Sequence, residues 1–406
     1  MTLIKCFTES HVDNITACLR LRPEKMILLG RGRELQAAVS RYRKFLKDRG
    51  LSTVVTAFDV GTEDYDSVCG ALRILMGREK DPVIDLTGGD ETVLMAVGAV
   101  VAEREAAGHK RIRVEKYDRK TDRVQDCLQR NRSYPENRAE LRVEELLCLH
   151  GGGLVPDEAQ PPAEFTLEDL DGLWKLVSKD PKGWNDAIKV LTEYERRSSG
   201  ENKLHILVEL ASCDIQDPEK EQKARKLLNS LRQCGVLTDN SNGDKLDYTY
   251  RDSMMRCCTQ KAGNVLELKT LLEARAMTEN GVPFFQDARM GVNIDWDGIY
   301  YPPEEGKKET RNEIDVVLMH GTAPIFISCK NGNIGEEELY KLNTVARRFG
   351  GPYAGKMLVA TKLDRKSEAA NSSFKQRAWD MDILLVTDAA KLTSEQWQKH
   401  LKSALL

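Results

Sequence analysis

Two short polar motifs in the C-terminal third of the chain combine residue types suited to hydrolysing a phosphodiester. Asn312 to Asp315 is followed, thirteen residues after the aspartate, by Ser328 to Lys330. Both motifs lie in segments with the pattern of adjacent strands, which are joined by a turn at His320 to Ala323. If the hairpin reverses in the middle of that turn, Asp315 faces the serine, and Lys330 shares the same face. An oxygen ligand for a hard divalent cation would then lie beside an ammonium group, as metal-assisted hydrolysis requires.

Two further glutamates fall on apolar helix faces. Glu267 shares one face of a predicted helix with Leu271 and Ala274, and a buried carboxylate without a partner is costly. A second predicted helix places Glu338 in line with Leu342 along its apolar stripe. We therefore expect both carboxylates to have a partner or a function.

The composition describes a globular protein of several domains. The chain has 406 residues, 41% of them hydrophobic and 31% charged, so two or three domains are expected. It lacks any apolar run of the roughly 18 to 20 residues that cross a bilayer. The ten cysteines form no C-x-x-C pair, which favours reduced thiols and a cytoplasmic protein without membrane contact. A net charge of −3 gives no general attraction to nucleic acid, so such contacts must be local.

The order of predicted elements indicates three parts. Up to about residue 150, strands alternate with helices, which predicts a mainly parallel, doubly wound sheet that ends in an antiparallel hairpin. A glycine- and proline-rich stretch from His150 to Pro162 marks a linker. Helices and a wing-like hairpin at Leu237 to Tyr250 then predict a winged-helix-like connector. From Asn264 onward the pattern is again α/β.

Two glycine-rich loops follow predicted strands of the first part. At the carboxyl ends of strands in a doubly wound sheet, bare backbone amides and helix N-termini attract phosphate groups. Neither loop completes a dinucleotide fingerprint, because Leu35 stands where the third glycine would be. The candidate ligand-binding residues are Gly30, Arg31, Gly32, Arg33, Thr87, Gly88, Gly89 and Asp90.

The C-terminal motifs resemble those of a known nuclease fold. Leu266–Glu267, Asn312 to Asp315 and Phe326 to Asn331 are similar to the motifs of PD-(D/E)XK nucleases. Almost the whole chain resembles CRISPR-associated fusions of a CARF sensor domain to such a nuclease. This resemblance implies an α/β protein with a Rossmann-like CARF sheet, a helical and winged-helix-like connector and a restriction-endonuclease-like domain. The corresponding residue ranges are 1–153, 154–262 and 263–406.

The resemblance also implies roles for individual residues. Asp315 would bind Mg²⁺ or Mn²⁺ together with the main-chain carbonyl of Cys329, and Glu267 would support the metal through water. Lys330 would orient the attacking water and offset phosphate charge. Ser328 stands where the family usually has an acid, and related nucleases with serine there recruit a glutamate from the following helix. Glu338 is the candidate for that role and for the metal.

The loop Thr87 to Gly89 resembles the CARF ligand loop, which holds cyclic oligoadenylate across a dimer axis. The chain departs from many relatives at Asp90 and Glu91, so Arg31 and Arg33 would supply the positive charge. The resemblance implies a homodimer, a cyclic oligoadenylate activator with cyclic tetra-adenylate favoured, and a DNA or RNA substrate.

Two matters stay open in the sequence. The serine at position 328 favours the alternative of a ligand-responsive, DNA-binding regulator whose nuclease fold has decayed, whereas the retained acids and Lys330 oppose it. The basic residues Arg347, Arg348 and Lys356 are either a solvated face or contacts to a nucleic-acid backbone, which would make the affinity salt-dependent.

Overall fold

The chain divides into two compact units. The computed structural model describes residues 1–61, 64–89, 91–118, 123–129, 138–155, 160–215, 217–299, 311–332, 334–363 and 367–405. The N-terminal unit contains Met1–Gly153 with 296–299 and Met319–Ala323. The C-terminal unit contains Leu154–Asp295 with 311–318 and 324–405.

The N-terminal unit is built on a six-stranded sheet in the order β3-β2-β1-β4-β5-β6. The strands from β3 to β5 run parallel, and β6 is antiparallel to β5. The strands are β1 (Thr2–Cys6), β2 (Lys25–Gly30), β3 (Val54–Asp59), β4 (Pro82–Asp85), β5 (Arg113–Asp118) and β6 (Arg123–Asp126). The helices are α1 (His11–Leu21), α2 (Gly32–Asp48), α3 (Tyr65–Arg78), α4 (Glu91–Ala106) and α5 (Val143–Leu149).

The sequence patterns missed the central strand β1 and the helix α1 that follows it. The strand has only five residues, and Lys5 interrupts its apolar run, although the Lys5 side chain is fully buried. The start of α1 did carry a signal: Ser10 accepts a hydrogen bond from the backbone N–H of Asp13, and both residue types are typical of a helix N-terminus. The prediction of a doubly wound sheet was therefore correct in fold class, but it omitted the central strand.

A buried ion pair explains how a lysine fits in that central strand. The Lys5 ammonium lies 3.1 Å from Asp85 Oδ2 at the end of β4, and both side chains have at most 1% of their surface exposed. Lys5 also donates a hydrogen bond to the main-chain carbonyl of Thr87. The pair fixes the loop after β4 against the middle of the sheet.

The C-terminal unit contains a second six-stranded sheet, ordered β17-β16-β15-β14-β13-β7, and a three-stranded antiparallel sheet, ordered β8-β10-β9. The strands are β7 (Gly153–Leu154), β8 (His205–Glu209), β9 (Leu237–Asp239), β10 (Lys245–Tyr250), β11 (Thr278–Glu279), β12 (Val282–Pro283), β13 (Asp287–Asp295), β14 (Arg311–His320), β15 (Ala323–Lys330), β16 (Gly355–Ala360) and β17 (Leu384–Val386). The helices are α6 (Leu167–Lys179), α7 (Pro181–Glu195), α8 (Pro218–Gln233), α9 (Ser253–Gln260), α10 (Asn264–Arg275), α11 (Glu337–Gly350), α12 (Glu368–Asp380) and α13 (Ser394–Ser403).

One hydrophobic core runs through the C-terminal unit. It joins apolar residues of the predicted connector, such as Trp184, to residues of the large sheet, such as Ile327. Helix α10 lies at its centre and is packed on all sides, so almost every residue of this helix is buried, including the polar residues Glu267, Thr270 and Glu273. The segments predicted as connector and nuclease therefore pack as a single body.

The predicted α/β class is confirmed by this architecture. The predicted wing corresponds to β9 and β10, and β8 joins them as a strand that the sequence patterns missed. Within the described ranges, no helix combines the length and apolar character needed to cross a bilayer.

Replacing Lys5 with methionine should destabilise the N-terminal unit by about 3 to 5 kcal/mol, because it leaves the buried Asp85 carboxylate without its counter-charge. Urea unfolding of the full chain measures the effect. The matched control is Arg73→Met, which breaks the exposed ion pair between Arg73 and Glu103 and should change little. Equal stability of the two variants would contradict the structural role given to Lys5.

Candidate active site

The hairpin of β14 and β15 brings the first motif to the second. Side chains alternate along each strand, so Val316 and Ile327 enter the core while Asp315, Ser328 and Lys330 share the other face. Asp315 Oδ2 accepts hydrogen bonds from Ser328 Oγ at 3.1 Å, from the backbone N–H of Cys329 at 2.6 Å and from Lys330 Nζ at 3.1 Å. The structure thus places the three predicted side chains in direct contact.

The two oxygens of the Asp315 carboxylate have different surroundings. All three donors act on Oδ2, and no described residue donates a hydrogen bond to Oδ1. The side chain is 14% exposed, so the carboxylate is held rigidly and one of its oxygens is left to bind something else.

Lys330 lies between two acids. Its ammonium nitrogen is 3.1 Å from Asp315 Oδ2 and 3.2 Å from Glu338 Oε2. Burial alone would lower the pKa of Lys330, but the charges of the two carboxylates outweigh it and raise the pKa above its ordinary value. Lys330 is therefore a fixed cation at neutral pH.

Glu338 lies in the first turn of α11 and contacts two lysines. Its Oε2 contacts Lys330, and its Oε1 lies 3.2 Å from Lys341 Nζ, one helical turn away. Burial acts to raise the pKa of Glu338, but the two lysines hold it below its ordinary value. The side chain is 21% exposed at the edge of the apolar stripe, so the structure brings Glu338 to the site but binds it to lysines.

Glu267 approaches the site from α10 and is only 9% exposed. None of the described residues donates a hydrogen bond to its carboxylate or forms an ion pair with it. Burial, followed by the negative charges of Asp315 and Glu313, raises the pKa of Glu267 to about 8. The positive charges of Lys330 and Lys261 act against this rise but do not cancel it, so the ionised form of the buried carboxylate stays unfavourable.

The fit of these residues to a divalent cation rests on their chemistry. Among the described side chains, no three Asp, Glu, His or Cys groups already stand close enough to enclose a metal. However, the Oδ1 atom of Asp315 and the carboxylate of Glu267 are hard oxygen donors of the kind that Mg²⁺ and Mn²⁺ prefer, and neither accepts a hydrogen bond from the described chain. A divalent cation bound beside Asp315 and Glu267 would offset the repulsion of Glu267 by Asp315 and Glu313.

Cys329 turns its thiol away from the site. The Sγ atom is buried and lies 3.5 Å from Thr270 Oγ1 on α10. Burial raises the pKa of this thiol well above its ordinary value, so it stays a neutral packing group. The expected role of the Cys329 carbonyl as a metal ligand stays a prediction.

Sequence reasoning missed one cation of the site and misjudged another. Lys261, just before α10, lies 3.3 Å from Glu313 Oε1, and it was overlooked because no helix or strand pattern includes it. Lys356 is buried and donates to Asn343 Oδ1 at 3.1 Å and to the carbonyl of Met381. The suggested contact of Lys356 with nucleic acid is therefore wrong, because its ammonium group is already engaged inside the fold.

The two glycine loops of the N-terminal unit lie on either side of the loop after β1. A Cβ atom on Gly30 would come within 2.9 Å of Phe7, and one on Gly88 within 3.0 Å of Thr8. Both loops therefore need glycine for close packing, and Gly88 also has a positive φ of 75°. The loop of residues 7–10 was not predicted as part of this edge, because β1 itself was missed.

The predicted ligand residues differ in how available they are. The Thr87 hydroxyl donates to Asp85 Oδ1 at 2.6 Å and accepts from the backbone N–H of Tyr117, so this side chain supports the loop. Arg31, Gly32 and Arg33 are exposed at the start of α2, Gly88 is exposed and Gly89 is half-buried. Asp90 lies outside the described residues.

Replacing Glu267 with glutamine should change how stability depends on pH in the presence of EDTA. The native chain holds the Glu267 proton up to about pH 8, whereas the unfolded chain releases it near 4.5, so this stabilisation is complete at low pH and is lost as pH rises through 8. Melting temperatures from pH 5 to 9 measure it. Glu267→Gln should lose less stability over this range than the wild type, with exposed Glu337→Gln as the control. Parallel curves for all three proteins would contradict the raised pKa.

Comparison with known proteins finds a family model and two solved structures that are similar to this chain. Residues 260–401 match the family model described as the Card1-like endonuclease domain. Protein VC1899 from Vibrio cholerae is similar over 100% of this chain and 97% of its own, with a TM-score of 0.74 and 17% identity. Can2 from Sulfobacillus thermosulfidooxidans, solved in complex with cyclic tetra-adenylate, is similar over 100% of this chain and 99% of its own, with a TM-score of 0.66 and 14% identity.

A search of curated proteins gave no significant match. The two structures share the fold along the whole chain, and the family match covers the segment that carries Glu267, Asp315 and Lys330. The sequence resemblance to fusions of a sensor domain with a nuclease is confirmed by these findings. Residues 260–401 of this chain are thus similar to the Card1-like endonuclease domain.

Proposed function

We propose that the chain is a divalent-metal-dependent endonuclease of the PD-(D/E)XK type, controlled by cyclic oligoadenylate bound to its N-terminal unit. The observation that carries the proposal is the arrangement around Asp315: three donors hold Oδ2 and leave Oδ1 accessible, beside the buried carboxylate of Glu267. The family match to an endonuclease domain over the same residues supports it.

The proposed cation is Mg²⁺ or Mn²⁺. Asp315, Glu338 and the Cys329 carbonyl would hold it, with Glu267 acting through water. When bound, it would supply Lewis acidity and lower the pKa of a water molecule.

The other proposed roles belong to side chains and a backbone N–H group of the protein itself. Lys330 stays protonated, so it donates hydrogen bonds to the attacking water and to phosphate oxygens rather than accepting a proton. Ser328 and the backbone N–H of Cys329 fix the orientation of Asp315. Ser328 therefore positions Asp315 by donating a hydrogen bond, which an ionised acid at position 328 could not do.

The proposed activator site is the loop edge of the N-terminal sheet. The exposed amides near Gly32 and Gly88 and the guanidinium group of Arg33 suit an anionic ligand. Can2 was solved with cyclic tetra-adenylate, which favours that ring size here.

A homodimer is part of the proposal. A cyclic oligoadenylate is itself symmetric, so it suits a site formed across the two-fold axis between two copies of the chain. Helix α4 supports it with a stripe of exposed apolar or small residues at Leu94, Met95, Gly98 and Ala102. We propose that this stripe packs against its copy in a second chain. The biological role that follows is cleavage of DNA, RNA or both in type III CRISPR defence.

One observation favours the alternative of a DNA-binding regulator with a decayed nuclease fold. Ser328 replaces the usual acid, and each carboxylate oxygen of Glu338 already contacts a lysine. Cleavage assays decide between the two functions, because only the nuclease turns over its nucleic acid.

The decisive experiment incubates the purified chain with Mn²⁺ and labelled DNA and RNA, with and without cyclic tetra-adenylate and cyclic hexa-adenylate. Lys330→Ala and Asp315→Asn should each lower the cleavage rate by about 10³-fold or more, because a charge that acts on the reacting phosphate is lost. Activator affinity, measured by calorimetry, should stay unchanged. Full cleavage by Lys330→Ala would remove this residue from the mechanism.

Glu338 can be tested against its neighbour on the same helical turn. Glu338→Gln should reduce metal-dependent cleavage by about 10²-fold and raise the Mn²⁺ concentration needed for half-maximal rate. The matched control is Glu337→Gln, since Glu337 is exposed and makes no described contact with Lys330. If both variants cleave equally, Glu338 is not the substitute for the missing acid.

A further inference from the structure

A cleft of about 650 Å³ opens in the C-terminal unit beside the candidate active site. One wall is helix α7, and the other is the segment between α9 and α10. Its polar lining consists mainly of Lys189, Glu193, Arg196, Arg197, Gln260 and Lys261.

The cleft carries more positive charge than its neighbours neutralise. Lys189 and Arg196 are exposed, and neither forms an ion pair or a side-chain hydrogen bond with the described residues. By contrast, Arg197 is paired with Asp214, and the only acid of the lining, Glu193, lies 2.9 Å from Lys220 Nζ, outside the cleft. Two cations of the wall are thus left without a counter-charge.

Two contacts connect the cleft to the catalytic strands. Lys261 lines the cleft and contacts Glu313 Oε1, two residues before Asp315 on the same face of β14. Asn185 of α7 accepts a hydrogen bond at 2.7 Å from the side chain of Asn331, which follows Lys330 directly. Each wall of the cleft is therefore attached to a strand that carries the site.

Helix α7 also has the right periodicity for a linear ligand. Asn185, Lys189 and Arg196 are spaced by four and seven residues, so they lie along one face of the helix. The distance from Asn185 to Arg196 along the axis is about 16 Å at 1.5 Å per residue. That length matches several consecutive phosphates of a polynucleotide, since each strand of a duplex carries one phosphate per roughly 3.4 Å of helix axis.

We propose that this cleft binds the phosphate backbone of the polynucleotide and leads it to Asp315 and Lys330. The inference rests on the proposed nuclease function and adds the path of the substrate to it. The net charge of −3 gives the whole protein no general attraction to nucleic acid, so a local cationic wall supplies it. Lys189 and Arg196 are the binding residues, whereas Lys261 positions Glu313.

The test compares the double variant Lys189→Gln/Arg196→Gln with Lys223→Gln/Lys226→Gln. The control removes the same number of exposed positive charges from α8 of the same unit. Affinity for labelled single-stranded RNA and duplex DNA is measured by fluorescence anisotropy in EDTA between 50 and 200 mM salt, a range that is about a fourfold change. Cleavage of both substrates is measured with Mn²⁺ and cyclic tetra-adenylate.

The cleft variant should bind about tenfold more weakly, and its salt dependence should be shallower by roughly 1.4 for a single strand and 1.8 for a duplex, since two phosphate contacts are lost. KM should rise with kcat unchanged at saturating substrate. The control should match the wild type, and circular dichroism spectra should coincide. The substrate with the larger loss of affinity identifies the polynucleotide that the cleft accepts.

The outcomes of this test distinguish failure of the cleft proposal from failure of the proposed nuclease function. Unchanged affinity and salt slope in the cleft variant overturn the inference, and so does a wild type that binds neither polynucleotide. Normal wild-type cleavage alongside an unaffected cleft variant overturns the inference but leaves the nuclease standing. Weakened binding in the cleft variant without any cleavage by the wild type supports the cleft and overturns the proposed nuclease.

Discussion

The arrangement of the candidate site depends on how Asp315 Oδ2 is held. Three donors from a single stretch of β15 converge on that oxygen, and two of them are a hydroxyl and an ammonium whose positions follow from strand alternation. Because the hydrogen bonds are all on one side of the carboxylate, its other oxygen has a fixed direction. Preorganisation of this kind avoids a reorganisation cost when charge develops during a reaction.

The second constraint is the burial of Glu267. Helix α10 is packed on all sides in the centre of the C-terminal unit, so a glutamate in its first turn is only 9% exposed. Its raised pKa is the consequence first of that burial and then of the negative charges of Asp315 and Glu313. The same core holds α7 against the end of β15, which makes the position of the cationic cleft a result of packing rather than of a flexible connection.

In the N-terminal unit, buried polar contacts likewise fix the position of a candidate binding loop. The buried pair of Lys5 and Asp85 joins the central strand to the loop that carries Gly88 and Gly89. Thr87 uses its hydroxyl within the same network, so it shapes the loop. Arg31, Gly32 and Arg33 at the start of α2 and Gly88 are exposed at this edge, which is consistent with recognition of an anionic ligand by amides and guanidinium groups.

The sequence by itself determined the hairpin at Gly321 and the shared face of Asp315, Ser328 and Lys330, because strand alternation and turn chemistry are local properties. It also indicated that Glu267 is buried, from its apolar neighbours at helical spacing. Only the tertiary structure decided that β1 lies in the middle of its sheet. The charged Lys5 can be buried there because Asp85, which is distant in the chain, neutralises it. The burial of Lys356 beside Met381 and the cleft along α7 likewise come from residues far apart in the chain, whose proximity no local pattern encodes.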